Sequence, residues 1–274
     1  MSLSSSLSVL FALLLVLIPG VSVQAEILHY VASYKGPFSA GENWAIADVK
    51  LDSKPLQLPA LGKVTQITME ATSESYPFVE EHFPFRVRYQ SIYVPDEQHV
   101  LALEKYQKTS RLKHEINWVD IEQGKLLRFR SKGKNAGKQP FPTALQQWLE
   151  PGERFEFHKY SPSGFEAGLH DRLSMLQMIR QQPLATGREY VFSVTDGKHR
   201  YRYVVRVENR HKIKIGKKQH LAWKLRFDAM DVRKRKAAHR PVYVWLADDA
   251  QHTPLLFENR HLLGSFMVTL VSEI

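Results

Sequence analysis

The sequence predicts a mainly β protein, a large twisted antiparallel sheet curled into a half-open barrel around one central helix. Apolar and polar residues alternate in most segments after residue 26, which is the period of a strand with one buried face. One stretch, following Asp171, has the spacing of an amphipathic helix instead. A sheet of about ten strands tends to curl, and its open edges need a cover that the helix can supply.

The first half of the chain predicts a run of consecutive strands. In the first of them one face carries Leu28, Tyr30, Ala32 and Tyr34. The expected strands lie at residues 27–34, 44–49, 63–72 and 85–94, with two more between residues 100 and 130. A short helical turn is expected at residues 143–149, between two prolines.

The central helix has recognisable ends. The carboxylate of Asp171 can cap the first turn, and the run Gln181-Gln182-Pro183 ends the helical pattern. Between these ends the apolar stripe consists of Leu173, Leu176 and Ile179. Such a stripe either packs as core or lines a cavity, and the sequence leaves both interpretations open.

The C-terminal third predicts a meander of strands. Asp196-Gly197 is a two-residue hairpin signal, and the strand after it alternates tyrosine and valine with arginine. The arginines on one strand face are Arg200, Arg202 and Arg206. A basic hairpin tip follows at Arg233, Lys234, Arg235 and Lys236. The remaining strands are expected at residues 213–215, 221–227, 241–246, 254–258 and 266–271.

The beginning of the chain predicts export. Residues 9–18 are all apolar, too short a run to span a bilayer comfortably, and small residues follow at Val23 and Ala25. We expect a signal peptide at residues 1–25, cut after Ala25, and a single β-rich domain at residues 26–274. The segment before residue 10 has no Lys or Arg, so an uncleaved anchor remains the alternative. Export without cysteine suggests the bacterial periplasm.

Composition and motifs exclude several kinds of chemistry. The 274 residues contain no cysteine, which rules out disulfides, thiolate metal sites and cysteine nucleophiles. The chain has no G-x-S-x-G elbow, no Walker loop and no histidine pair with the spacing of a metal site. We therefore predict no catalytic residue, no metal and no cofactor.

The excess of basic residues predicts anionic partners. Lys and Arg number 38 against 28 Asp and Glu, a net charge of +10. On an exported protein nucleic acid is not an expected partner, whereas an anionic membrane surface, lipopolysaccharide or an acidic glycan is. We predict anion binding by the three strand arginines and the four tip residues named above. The alternative is that these charges, with those of the Lys-rich loop at residues 131–138, only keep the loops solvated.

Several motifs occur together in one order. Residues 170–176 read His-Asp-Arg-Leu-Ser-Met-Leu and are followed by Arg180, Gly187 and the Asp196-Gly197 hairpin. Residues 244–249 precede Thr253-Pro254 and Gly264-Ser265, and near the start Tyr30 or Tyr34 leads to Gly41. This set resembles the domain-of-unknown-function 3108 family, most sharply from Asp171 to Leu270. The resemblance implies an exported bacterial protein whose fold is similar to the periplasmic lipoprotein carriers, an incomplete barrel on a helix with an apolar concave face.

These inferences together predict a non-enzymatic periplasmic binding or envelope-maintenance protein. It would hold a lipid, an acyl chain or a hydrophobic peptide in the half-barrel. The predicted ligand-binding residues are Leu173, Leu176, Ile179, Arg180, Trp223 and Trp245. Two alternatives remain: an envelope enzyme acting on glycan or peptidoglycan with Asp171 or Asp248 as acid or base, and a scaffold that binds another envelope protein at a sheet edge.

Overall fold

The computed structural model describes residues 25–58, 62–131, 139–162, 164–261 and 264–273. The predicted signal peptide, up to residue 24, and the Lys-rich residues 132–138 lie outside the described residues. The strands are β1 (Glu26–Lys35), β2 (Asn43–Leu58), β3 (Gly62–Thr72), β4 (Arg86–Val94), β5 (His99–Lys108), β6 (Leu112–Asp120), β7 (Lys125–Arg130), β8 (Glu156–Tyr160), β9 (Leu169–His170), β10 (Glu189–Thr195), β11 (Arg200–Ile215), β12 (Lys218–Asp231), β13 (Lys236–Ala237), β14 (Val242–Ala247), β15 (Pro254–His261) and β16 (Gly264–Glu273).

The helices of the described residues are few and short. They are α1 (Pro77–His82), α2 (Arg172–Arg180) and two 3-10 turns at Pro37–Ser39 and Thr143–Trp148. Among the described residues, no helix is long and apolar enough to cross a membrane. The predicted central helix and the predicted helical turn near residue 143 are both confirmed.

One sheet contains every strand of the described residues. Its order is β8-β7-β6-β5-β4-β3-β2-β1-β16-β15-β14-β12-β11-β10-β9, with β13 paired to the end of β12. Neighbouring strands run antiparallel, except that β9 and β10 are parallel. The sheet is not closed into a barrel: it curls until β9, at one end, lies against β5. The predicted mainly β, half-open architecture is confirmed.

The number of strands exceeds the prediction. The segment between residues 100 and 130 forms three strands, β5, β6 and β7, where two were expected. The missed turn is at Thr109, whose N–H donates to Arg111 O at 3.3 Å. It contains neither Gly nor Pro, so the usual turn signals are absent there. Strands β8 and β9 were also not predicted; β9 has only two residues, too few for an alternating pattern.

The apolar core includes two large clusters inside the curl. One is built on β4 to β8 and is covered by the segment around Leu145, Trp148 and Phe155. The other lies under α2, where Met175, Met178 and Ile179 pack against β10, β11, β12 and β14. Each such buried side chain contributes roughly 1.5–3 kcal/mol of hydrophobic stabilisation. The helix is therefore fixed to one wall of the curl. Side chains from other strands line the space beside it.

Candidate ligand-binding site

Helix α2 begins at a capped and buried residue. Asp171 Oδ1 accepts hydrogen bonds from the Ser174 N–H at 2.8 Å, the Ser174 hydroxyl at 2.6 Å and the Ser91 hydroxyl at 3.1 Å. The Asp171 N–H donates back to Ser174 Oγ at 2.9 Å. Burial raises the pKa of Asp171, and the bonds from Ser174 and Ser91 oppose that change. This reciprocal capping fixes the first turn of α2, and with it the directions of the Arg172 and Leu173 side chains.

A cavity of about 660 Å³ lies between α2 and the concave face of the sheet. Eight neighbouring strands, from β3 through β1 and β16 to β11, each contribute side chains to its wall. The wall is aliphatic and aromatic, as the side chains of Val49, Met69, Val244, Phe257 and Val268 illustrate. Small-molecule sites in proteins have volumes of about 300–1,000 Å³ and mostly apolar walls. The cavity therefore has the size and surface of a binding site for an apolar group.

The polar groups of the cavity are concentrated at its mouth. Arg172 and Asn259 are exposed and His239 is half-buried, which marks the mouth, and the buried Tyr203 contacts both Arg172 and His239. Arg172 Nε donates to the Tyr203 hydroxyl at 3.3 Å, and Tyr203 lies 3.1 Å from His239 Nε2. Of the described residues that line the cavity, Arg172 carries the only permanent charge, and none is Asp or Glu. The site thus combines a mostly apolar wall with one cation.

Arg172 stays charged at this position. Neighbouring protein atoms exclude part of the water around its guanidinium, which lowers its pKa, but Tyr203 and Asp196 outweigh this and raise the pKa above its ordinary value. No carboxylate of the described residues forms an ion pair with Arg172, although most other arginines along the sheet have one. A cation in the first turn of a helix is also disfavoured by the helix dipole. The Tyr201 ring, whose centroid is 5.9 Å from the guanidinium carbon, is a further contact that favours the cation there.

Two of the predicted ligand-binding residues line the cavity. Leu173 and Leu176 are half-buried and face it from α2. Ile179 lies on the same helix but is fully buried in the core under it. Arg180 is paired with Glu26, at 2.6 Å and 2.7 Å between nitrogen and oxygen atoms, and ties the end of α2 to β1. Neither Ile179 nor Arg180 lines the cavity.

The two predicted tryptophans lie on strands beside the cavity and not in its wall. Trp223 Nε1 donates to Asp248 Oδ1 at 2.8 Å, and the Arg210 guanidinium lies over its ring. Trp245 is buried on the face of β14 opposite Val244, with Nε1 3.4 Å from His211 Nε2 and the Lys224 ammonium over its ring. Their indole N–H groups are thus engaged with the protein.

The predicted anion-binding arginines of β11 lie on the outer face of the sheet. Arg200 pairs with Glu166 at 2.7 Å, and Arg206 pairs with Glu189. Arg202 is exposed between them. The structure places them away from the cavity mouth, on the face opposite Tyr203.

The predicted basic tip connects β12 and β13. Lys234 and Lys236 line a small groove that contacts the mouth of the cavity through Arg172 and His239. Arg233 and Arg235 belong to the same exposed turn. The structure therefore brings part of the tip, but not the β11 arginines, next to the cavity.

The two carboxylates of the enzyme alternative do not converge. Asp171 is the helix cap described above, and Asp248 is bound by Trp223 and by Arg210. Neither lines the cavity. Among the described residues no group of three or more His, Asp or Glu is arranged to hold a metal ion.

A second polar cluster lies within the sheet, away from the cavity. His114 Nε2 is 2.7 Å from Glu104 Oε1, and His114 Nδ1 is 2.9 Å from Glu153 Oε2. Carboxylates only accept hydrogen bonds, so both ring nitrogens donate and the imidazole is charged. Glu104 also accepts two hydrogen bonds from Arg88 and one from Gln90. Every strong donor and acceptor in the cluster is paired, which is typical of a structural network.

Arg172, Tyr203 and His239 were missed by the sequence interpretation. Arg172 carried a local signal, because it directly follows the cap residue and places a cation where the helix dipole disfavours one. Tyr203 was expected on the face of its strand opposite the arginines. His239 had no local signal, since only the curl of the sheet brings β13 and its neighbours to the start of α2.

Comparison with known structures shows a shared fold. The chain is similar to a β-barrel-like protein of domain of unknown function DUF1849 from Brucella abortus, with 10% identity over 91% of this chain and 96% of that chain and a TM-score of 0.53. A lipoprotein candidate from Parabacteroides distasonis ATCC 8503 gives 8% identity over 92% of this chain and 96% of that one, with a TM-score of only 0.33. No curated protein matches the chain significantly.

The family resemblance inferred from the motifs is confirmed. The family profile described as "Protein of unknown function (DUF3108)" matches residues 56–271, which includes the helix motif and the C-terminal motifs. The early motif from Tyr30 or Tyr34 to Gly41 precedes the matched region. With most of its length matched, the chain belongs to the DUF3108 family.

Proposed function

We propose that the protein is a non-enzymatic binding protein of the bacterial envelope that holds the acyl chain of a lipid in the cavity under α2. The observation that carries this proposal is the cavity itself, about 660 Å³ with no Asp or Glu among the described residues of its wall. A mostly apolar cavity of this size is unusual in a packed protein unless something fills it.

The cavity wall favours a lipid over a hydrophobic peptide. A peptide brings backbone N–H and C=O groups, each of which costs free energy when buried without a partner. The polar side chains lie at the mouth, and the Tyr30 hydroxyl in the wall already donates to Pro254 O at 3.0 Å. An acyl chain has no interior polar group and needs none.

A cavity-filling variant tests the proposal. Ala71 lies in the wall on β3, so Ala71→Phe places a ring where the acyl chain would lie. We expect the wild-type protein to bind cis-parinaric acid, a fluorescent fatty acid, at one molecule per chain, and Ala71→Phe to weaken binding by about tenfold or more. Fluorescence titration measures both.

Ala185→Phe is the matched control, because Ala185 is exposed in the loop before β10 and away from the cavity. We expect it to bind like the wild type. Equal binding by Ala71→Phe and wild type would show that the fatty acid binds elsewhere, and absence of binding by a folded wild-type protein would overturn the proposal.

A further inference from the structure

A small groove of about 250 Å³ adjoins the mouth of the cavity. Arg172 and His239 line both spaces, so these two side chains form the boundary between them. The far side of the groove carries Lys234 and Lys236 from the basic tip. An apolar cavity and a cationic groove are therefore adjacent and share their boundary residues.

Hydrogen bonds hold the boundary in place. His239 Nδ1 donates to Arg240 O at 2.7 Å, because a carbonyl oxygen only accepts. In the neutral ring, Nε2 is then an acceptor, and the Tyr203 hydroxyl donates a hydrogen bond to it at 3.1 Å. The Tyr203 oxygen in turn accepts from Arg172 Nε. These hydrogen bonds use only one nitrogen of the Arg172 guanidinium. Among the described residues, no acceptor binds the other two nitrogens.

The charge of the groove is positive. Asp231 is the one carboxylate among the described groove residues, and it is already occupied by the Lys234 N–H at 2.8 Å, with the Lys234 ammonium 3.9 Å away. Asp196, near Arg172, accepts hydrogen bonds from the Tyr201 hydroxyl and the His199 N–H. Arg172 and Lys236 thus remain without a carboxylate partner among the described residues.

We propose that this groove binds the anionic head group, a carboxylate or a phosphate, of the lipid whose acyl chain lies in the cavity. The inference rests on the proposed function and adds the class of ligand. An arginine with both terminal nitrogens unengaged suits an oxyanion, since guanidinium pairs with carboxylate or phosphate through two parallel hydrogen bonds. Lys234 and Lys236 add further positive charge on the solvent side.

Three ligands with the same oleoyl or oleyl chain test the head group: oleate, lysophosphatidic acid and uncharged oleyl alcohol. Displacement of cis-parinaric acid at neutral pH measures their affinities. For the wild type we expect both anions to bind about tenfold or more tightly than the alcohol. Inorganic phosphate alone is the fourth arm, and we expect it to bind weakly, because it lacks the chain.

Substitutions in the groove test whether it binds the head group. We expect Arg172→Gln to reduce the affinity for both anions to the level of the alcohol, and Arg172→Lys to restore it in part. A second variant combines Lys234→Gln with Lys236→Gln, which are exposed positions. It keeps the test valid if Arg172→Gln does not fold. We expect it to lower the affinity for both anions as well. Arg111→Gln, in the exposed turn between β5 and β6, is the control and should bind as the wild type does.

The outcomes separate the two proposals. Equal affinity for oleate and oleyl alcohol, or an Arg172→Gln variant that binds oleate normally, would overturn the head-group site and leave the acyl-chain cavity intact. Failure of every lipid to bind would overturn the proposed function. Tight binding of inorganic phosphate without any lipid would show an anion site unconnected to the cavity, and the inference would then be wrong.

Discussion

His170 is a buried histidine, in the strand that leads into α2, whose imidazole is held neutral. Its exposed fraction is 5%, and its ring packs against Tyr93 and Phe192. Burial, with a smaller repulsion from His99, lowers the pKa of His170 to about 4. Among the described residues Nδ1 has no hydrogen-bond partner. A proton on this ring therefore destabilises the folded state.

The sign of the pH dependence follows from that pKa. An unfolded chain, in which the histidine has a pKa of about 6.5, takes up a proton between pH 6.5 and about 4, and the folded chain does not. Stability is consequently lost as the pH falls through this range, by about 3 kcal/mol from this residue. We predict that His170→Leu removes most of this loss, measured by urea unfolding between pH 7 and pH 4.5.

An exposed histidine provides the control for that measurement. His261→Gln changes an exposed side chain at the end of β15, and we expect the same pH profile as the wild type. A His170→Leu profile as steep as that of the wild type would contradict the assignment of the acid sensitivity to His170.

At the scale of elements, the Glu104–His114–Glu153 cluster connects β5 and β6 to the loop before β8. Burial alone would lower the pKa of His114, but Glu104 and Glu153 outweigh it, so the pKa is raised. Burial alone would raise the pKa of Glu104, but His114 and Arg88 outweigh it, so the pKa is lowered. The stabilisation is therefore complete between about pH 4.5 and pH 6.5, and it declines above that range as His114 loses its proton and below it as Glu104 gains one.

Removing the Glu104 carboxylate tests how much this cluster stabilises the fold. Glu104 is fully buried, and Glu104→Gln leaves Arg88 with only the exposed Glu150, and His114 with only Glu153, as ionic partners. We predict a loss of about 3 kcal/mol in the free energy of unfolding at pH 6, measured with urea.

Glu189→Gln is the matched control, because Glu189 forms an exposed pair with Arg206. Its expected cost is below about 0.5 kcal/mol. Similar costs for the two variants would mean that the buried cluster adds no more stability than a surface ion pair.

The sequence predicted elements whose signals are local and missed those that depend on distant pairing. Helix α2 was placed correctly because its cap, Asp171, and its breaker, Pro183, lie within a few residues of its ends. The buried cluster joins Glu104, His114 and Glu153, which no spacing rule connects. Leu173 and Leu176 were predicted at the cavity from helical period alone, whereas His239 reaches it only through the curl of the whole sheet.

On the scale of the whole molecule, the net charge of +10 is divided between paired and unpaired cations. On the outer face of β11, Arg200 and Arg206 are paired with Glu166 and Glu189. Arg172 forms no ion pair with the described residues, yet it lies at the mouth of the apolar cavity. The anionic ligand proposed above would give Arg172 a charged partner at this position.

The curl of the sheet produces the cavity. Because the two ends of the sheet overlap without joining, eight strands bend around α2 and enclose apolar surface that no side chain fills. The protein from Brucella abortus shares this fold at 10% identity, so the curl does not depend on a particular sequence.

Native mass spectrometry of the protein, exported by bacterial cells and purified without detergent, tests the central claim most directly. Lipid extracted from the same sample identifies what is bound. We predict one anionic, acyl-bearing molecule per wild-type chain and little or none on Ala71→Phe. A folded wild-type protein that carries no such molecule, or equal amounts on both proteins, would contradict the claim that the cavity under α2 holds a lipid.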